Sequence, residues 1–65
     1  MFTKREVIEM MLRPISGQCP KSVFNAIMKE YLNYSAGDLV TVFTTETNLQ
    51  LMPAGSGLFT IKYSQ

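Results

Sequence analysis

The chain has 65 residues, 46% of them apolar, with six Lys/Arg against five Asp/Glu for a formal charge of +1, no His, no Trp and one Cys. A chain of this length buries only about 60% of its unfolded surface and has room for a single domain, residues 1–65. One cysteine excludes an intrachain disulfide scaffold, and high apolar content at near-zero net charge argues against disorder.

No apolar run approaches the roughly 18 residues of a membrane span. Lys4, Arg5, Glu6, Glu9 and Arg13 interrupt the N-terminal stretch, so it carries no signal-peptide apolar region. A lone thiol fits a reducing compartment, and a cytoplasmic location with no membrane partner is expected. Asn33-Tyr34-Ser35 matches the glycosylation acceptor pattern, which matters only in a secreted chain.

The first predicted element is a helix over about 3–13. Thr3-Lys4-Arg5-Glu6 is a capping box, and Phe2 before the cap with Val7 after it suits a hydrophobic staple. Val7, Ile8, Met10, Met11 and Leu12 gather on one arc; Arg5, Glu6, Glu9 and Arg13 gather opposite. Arg5–Glu9 and Glu9–Arg13 have the spacing of helical ion pairs. Pro14 disfavours helical geometry at Arg13 and ends the element. After the turn Ile15-Ser16-Gly17-Gln18, Pro20 opens a second helix over about 20–33. Its apolar set is Val23, Phe24, Ile27, Met28, Tyr31 and Leu32, and Lys21, Asn25 and Lys29 line the other edge. The stretch Tyr34-Ser35-Ala36-Gly37-Asp38 then turns the chain.

From Leu39 the residues become β-branched and aromatic. Leu39-Val40-Thr41-Val42-Phe43-Thr44 alternates as a strand over about 39–44. Thr45-Glu46-Thr47-Asn48 reads as a hairpin connection, and a second strand over about 49–52 stops at Pro53. After the flexible Pro53-Ala54-Gly55-Ser56-Gly57, a third strand over about 58–63 places Phe59, Ile61 and Tyr63 on one side. The expected fold is α+β: two amphipathic N-terminal helices packed on a three-stranded antiparallel meander, ααβββ.

Chemistry-bearing residues are few. Cys19 precedes Pro20 at a helix start, where backbone N–H groups lower a thiol pKa, yet no His is present to act as its base. One Cys without His supplies no zinc ligand set. The Gly55-Ser56-Gly57 loop lacks the lysine and the strand–helix context of a phosphate-binding loop. The carboxylates are dispersed, so no catalytic residue, cofactor or metal is expected and the chain reads as a non-enzyme.

The first helix has an apolar arc of about 200°, wider than the stripe of about 100° needed to pack on one sheet. Five methionines, the initiator included, add a deformable component suited to adaptable contacts. The leading expectation is therefore a small protein-interaction regulator or inhibitor, of phage or mobile-element type by size, that occludes a protein partner. Val7, Ile8, Met10, Met11 and Leu12, with the sheet's exposed face, would form the interface, and homodimerisation is expected of so small a core. The second expectation is a dimeric DNA-binding regulator using Lys21, Asn25 and Lys29. Two helices joined by a glycine-containing turn and followed by a hairpin resemble helix-turn-helix and winged-helix modules. Pro20-Lys21-Ser22-Val23, Ala36-Gly37-Asp38-Leu39-Val40-Thr41-Val42 and Leu49-Gln50-Leu51-Met52-Pro53 resemble the swapped-hairpin transcription factors of the AbrB and antitoxin type, over about half the chain. That resemblance implies an intertwined DNA-binding dimer. The helix between the motifs is longer than in that family, and a helix replaces its N-terminal strand, so no family is assigned on it. Against nucleic acid stands the near-neutral charge, where a clustered basic face is the rule.

Overall fold

A computed structural model describes residues 1–63. In chain order the elements are β1 (Phe2–Thr3), α1 (Lys4–Leu12), a 3-10 turn (Arg13–Ile15), α2 (Lys21–Leu32), α3 (Ala36–Glu46), β2 (Leu49–Gly55) and β3 (Leu58–Tyr63). The α+β class, with helices toward the N-terminal side of a three-stranded antiparallel sheet, is as expected. The sheet is not a sequential meander, because its order is β1-β3-β2.

Helix α1 starts as its sequence dictates. The Glu6 N–H donates to Thr3 Oγ1 at 3.2 Å, and the Thr3 N–H donates to Glu6 Oε1 at 2.9 Å. Two orphan amides are thereby satisfied reciprocally. The same two residues around the cap also make β1: Phe2 pairs with Phe59 and Thr3 with Leu58. The third strand of the sheet is thus two residues at the N-terminus. Of the two expected ion pairs, Arg5–Glu9 closes at 3.8 Å. Arg13 lies past the end of α1, in the 3-10 turn formed with Pro14, and that turn takes it off the i,i+4 register with Glu9.

The main correction concerns residues 39–44, which are helical rather than extended. Ser35 caps α3, its Oγ accepting from the Asp38 N–H at 3.1 Å, and Asp38 adds a negative charge to the first turn. Leu39 and Phe43, one helical turn apart, are fully buried. The threonines that suggested a strand turn their hydroxyls back onto the helix: Thr41 donates to the Gly37 carbonyl at 3.2 Å and Thr45 to the Thr41 carbonyl at 2.8 Å. Burial of Leu39 and Phe43 against the sheet outweighs a β-propensity difference of at most about 1 kcal/mol. With 36–46 helical, the segment aligned with the swapped-hairpin family has the wrong structure, and that resemblance falls.

Strand β2 also runs longer than expected, through Pro53 to Gly55, with Pro53 opposite Phe59. Proline is tolerated because β2 is an edge strand, bonded on one side alone. The hairpin turns through Ser56 and Gly57, both at positive φ (55° and 72°), the signature of a type I′ turn.

Among the described residues the core is Val7, Ile8, Met11 and Leu12 of α1, Met28 of α2, Leu39 and Phe43 of α3, Leu51 of β2 and Phe59 of β3. Helix α1 is central: it packs on α2, on α3 and on β3. Helix α2 lies outside it, held by Met28 and by the Lys4 ammonium, which donates to the Leu32 carbonyl at 2.8 Å. That bond places a cation on the C-terminal carbonyls of α2, where the helix dipole favours it.

Candidate functional site

The position of α1 puts the expected interface residues in or against the core. Val7 and Ile8 are fully buried, Met11 and Leu12 nearly so, and Met10 is half-buried against the same cluster. The wide apolar arc of α1 is consumed from three sides at once, by α2, α3 and the sheet. Val7 and Ile8 are closed to a partner in the folded domain, while Met11 and Leu12 reach the surface only along one groove. The outer sheet face is mostly polar, with Gln50, Thr60 and Lys62 exposed beside Met52.

Exposed large apolar side chains are scattered among Met1, Ile15, Val23 of α2, Met52 and Tyr63. At 100° per residue the apolar arc of α2, from Val23 to Leu32, spans about 180°. The core takes this arc deepest at Met28, toward its Leu32 edge. Val23 remains 45% exposed, and Ile27 and Tyr31 are half-buried. Ile15, in the turn beside them, is 37% exposed. Ile15, Ile27 and Tyr31, together with Met11, Leu12, Glu30 and Glu46, line a groove of about 350 Å³.

Three elements build the groove. Met11 and Leu12 come from the last turn of α1, Ile27, Glu30 and Tyr31 from the second half of α2, and Glu46 from the end of α3. Its floor is apolar and its charges are carboxylates. Burial pushes the Tyr31 phenol above its ordinary pKa, and the neighbouring Tyr34, Glu46 and Glu30 push it the same way. Tyr31 is itself fixed by an edge-on contact with Tyr34, ring centroids 5.0 Å apart.

A second groove, of about 320 Å³, lies on the other flank of α2 and is lined by Arg5, Glu9, Arg13, Ser16, Phe24, Asn25 and Met28. Lys21 and Lys29, one turn either side of Asn25 on α2, are exposed. Of the expected Lys21, Asn25 and Lys29 stripe, the structure brings Asn25 into a groove with Arg13 and the Arg5–Glu9 pair. Five residues of the first groove that were expected from neither reading, Ile15, Ile27, Glu30, Tyr31 and Glu46, are brought together there by tertiary packing. The signal available for the first groove was Glu30 sitting between Ile27 and Tyr31, a carboxylate at the margin of an apolar arc.

Helix α3, second of the pair α2–α3 joined by residues 33–35, exposes Ala36, Gly37, Asp38, Thr41, Thr44, Thr45 and Glu46, with two acids and no cation. Cys19 is half-buried in the connector, its Sγ donating to the Ile15 carbonyl at 3.6 Å. Among the described residues no three His, Cys, Asp or Glu side chains group to hold a metal, and no helix is long and apolar enough to cross a membrane. No family model, curated protein or solved structure matches this chain.

Proposed function

We propose that the chain is a small non-enzymatic regulator that binds and occludes a protein partner, using the groove between α1, α2 and α3. One observation carries the reading: α2 fully buries only Met28, and its partly exposed Ile27 and Tyr31 line a groove with apolar residues and two carboxylates. That composition suits a protein interface, whose buried centre is apolar and aromatic and whose edge is solvated. The groove's volume is within the range of sites that take one or two large side chains. Photo-crosslinking tests it. A crosslinking side chain at Ile15 or Val23 is expected to yield one discrete protein adduct in cells, and the same group at Gln50 on the outer sheet face none. Equal adducts from all three positions, or none from Ile15 and Val23, would remove the reading.

A second reading, a nucleic-acid-binding regulator, is favoured by Arg5 and Arg13 lining one groove with Asn25, between the exposed Lys21 and Lys29 of α2, and by the order helix, short connection, helix, hairpin. Contacts from this edge would be to phosphate, because the exposed face of α3 has no cation for base recognition. Retention on duplex DNA that collapses between about 50 and 200 mM salt, with a shallower salt slope in Lys21→Ala/Lys29→Ala, would support it. No retention at low salt would eliminate it.

A further inference from the structure

We infer that the groove between α1, α2 and α3 takes a basic segment of another protein, an apolar side chain entering beside Ile27 and Tyr31 with flanking Lys or Arg meeting Glu30 and Glu46. This rests on the protein-interaction reading above and specifies the partner's chemistry.

The argument is electrostatic. Two carboxylates, Glu30 and Glu46, line the groove, and none of its lining residues is a cation. Both α1 and α3 bring their C-terminal turns to it, and neither has a basic residue in that turn. Helix C-terminal carbonyls carry partial negative charge, so they add to the field of the carboxylates instead of offsetting it. Glu46 in the last turn of α3 opposes its own helix dipole, a placement that gains nothing for folding. The last turn of α2, which also reaches the groove through Glu30 and Tyr31, differs in carrying Lys29 and in having its Leu32 carbonyl tied by Lys4 at 2.8 Å. The formal charges left at the groove for a ligand to complement are therefore the Glu30 and Glu46 carboxylates.

The same field decides against a second copy as occupant. In a two-fold interface the same patch meets itself. Glu30 and Glu46 of one protomer would then face those of the other across a desolvated apolar centre, and like charges so placed are strongly unfavourable. The cations of this chain that are free of the core lie mainly on the other flank of α2, around Asn25, and a symmetric pairing through this groove would not bring them across. An anionic or purely apolar segment fits no better, because the first is repelled and the second leaves both carboxylates partly desolvated without a partner.

The test uses the full chain and two synthetic amphipathic peptides with one identical leucine-bearing face, one flanked by Lys and Arg and the other by Glu. The amide resonances of Ile27, Tyr31 and Glu46 are followed during titration. The basic peptide is expected to shift all three, to bind about tenfold more tightly than the acidic one, and to weaken as salt rises toward about 0.3 M. Glu30→Gln/Glu46→Gln is expected to erase that tenfold preference; both sites are exposed, so helical circular dichroism should be unchanged. Equal binding of the two peptides at these resonances overturns the charge argument and leaves the protein-interaction reading standing. Shifts of these resonances by neither peptide overturn both. A dimer in sedimentation that Ile27→Glu dissociates would put a second copy in the groove and overturn the choice of partner.

Discussion

Helices α1 and α2 have nearly the same pattern and opposite fates. Each carries apolar residues at three- and four-residue spacing with a charged edge opposite. In α1 four side chains are buried; in α2 one is. The difference lies in what surrounds them. Helix α1 has neighbours on several sides, while the contacts of α2 are mainly to α1. An apolar arc is thus a request for partners, and the tertiary arrangement decides whether the chain itself supplies them. Where it does, the arc is core; where it does not, the arc is surface looking for an occupant.

Truncation should separate the two helices most sharply. Ile8→Ala removes a fully buried side chain at the centre of the core and is expected to cost about 2–5 kcal/mol, a large share of the stability available to a domain this small. Val23→Ala, on the 45% exposed outer side of α2, should stay within about 0.5 kcal/mol. Urea melts followed by circular dichroism report both. Comparable losses would mean that α2 is as deeply integrated as α1. Hydrogen exchange carries the same contrast to the backbone: amides in the middle of α1 should exchange only through global unfolding, and those of α2 through cheaper local opening.

The contrast also marks how far the sequence reaches. Thr3, Glu6 and Pro14 made both ends of α1 legible, because capping and proline act locally and need no tertiary partner. Residues 39–44 misled because Val40, Thr41, Val42 and Thr44 have strand-like chemistry. Leu39 and Phe43 carry the deciding helical spacing, and Ser35-Ala36-Gly37-Asp38 had the form of a second cap, a local signal that the β-branched run obscured. The β1 strand, two residues long, has no periodicity to detect. Neither groove could be assembled from the sequence, which held only single residues of each. Glu30 and Glu46 are sixteen positions apart in sequence, and only the packing of α3 brings the second to the first.

The N-terminal cap of α1 is the next lever in size. Thr3 serves two elements at once, capping α1 and pairing with Leu58 in the sheet. Thr3→Ala keeps the backbone pairing and deletes the hydroxyl that accepts from Glu6, so it should cost about 1 kcal/mol. The loss would loosen α1 specifically. It is expected to speed exchange of the first-turn amides of α1 while amides in the middle of α2 keep theirs; slowed or unchanged exchange at Glu6 would show the cap to be idle.

The smallest expected effect is acid sensitivity at that same cap. The Glu6 carboxylate accepts from the Thr3 N–H, and the Thr3 hydroxyl beside it acts in the same direction, so its pKa lies below the usual carboxylate range. A depressed folded-state pKa means that the folded form binds the proton less readily than the unfolded chain. The resulting stabilisation is complete above the ordinary carboxylate range and disappears as pH falls through the lowered value. Because Glu6 is solvent-exposed, the effect should emerge only as a difference between proteins. Glu6→Gln preserves the capping geometry without a titrating group. Thermal melts of the two proteins should therefore differ slightly at neutral pH and converge in strong acid. A gap that stays constant with pH would assign the cap to hydrogen-bond geometry alone, leaving the carboxylate's charge without a role in holding α1 against the sheet.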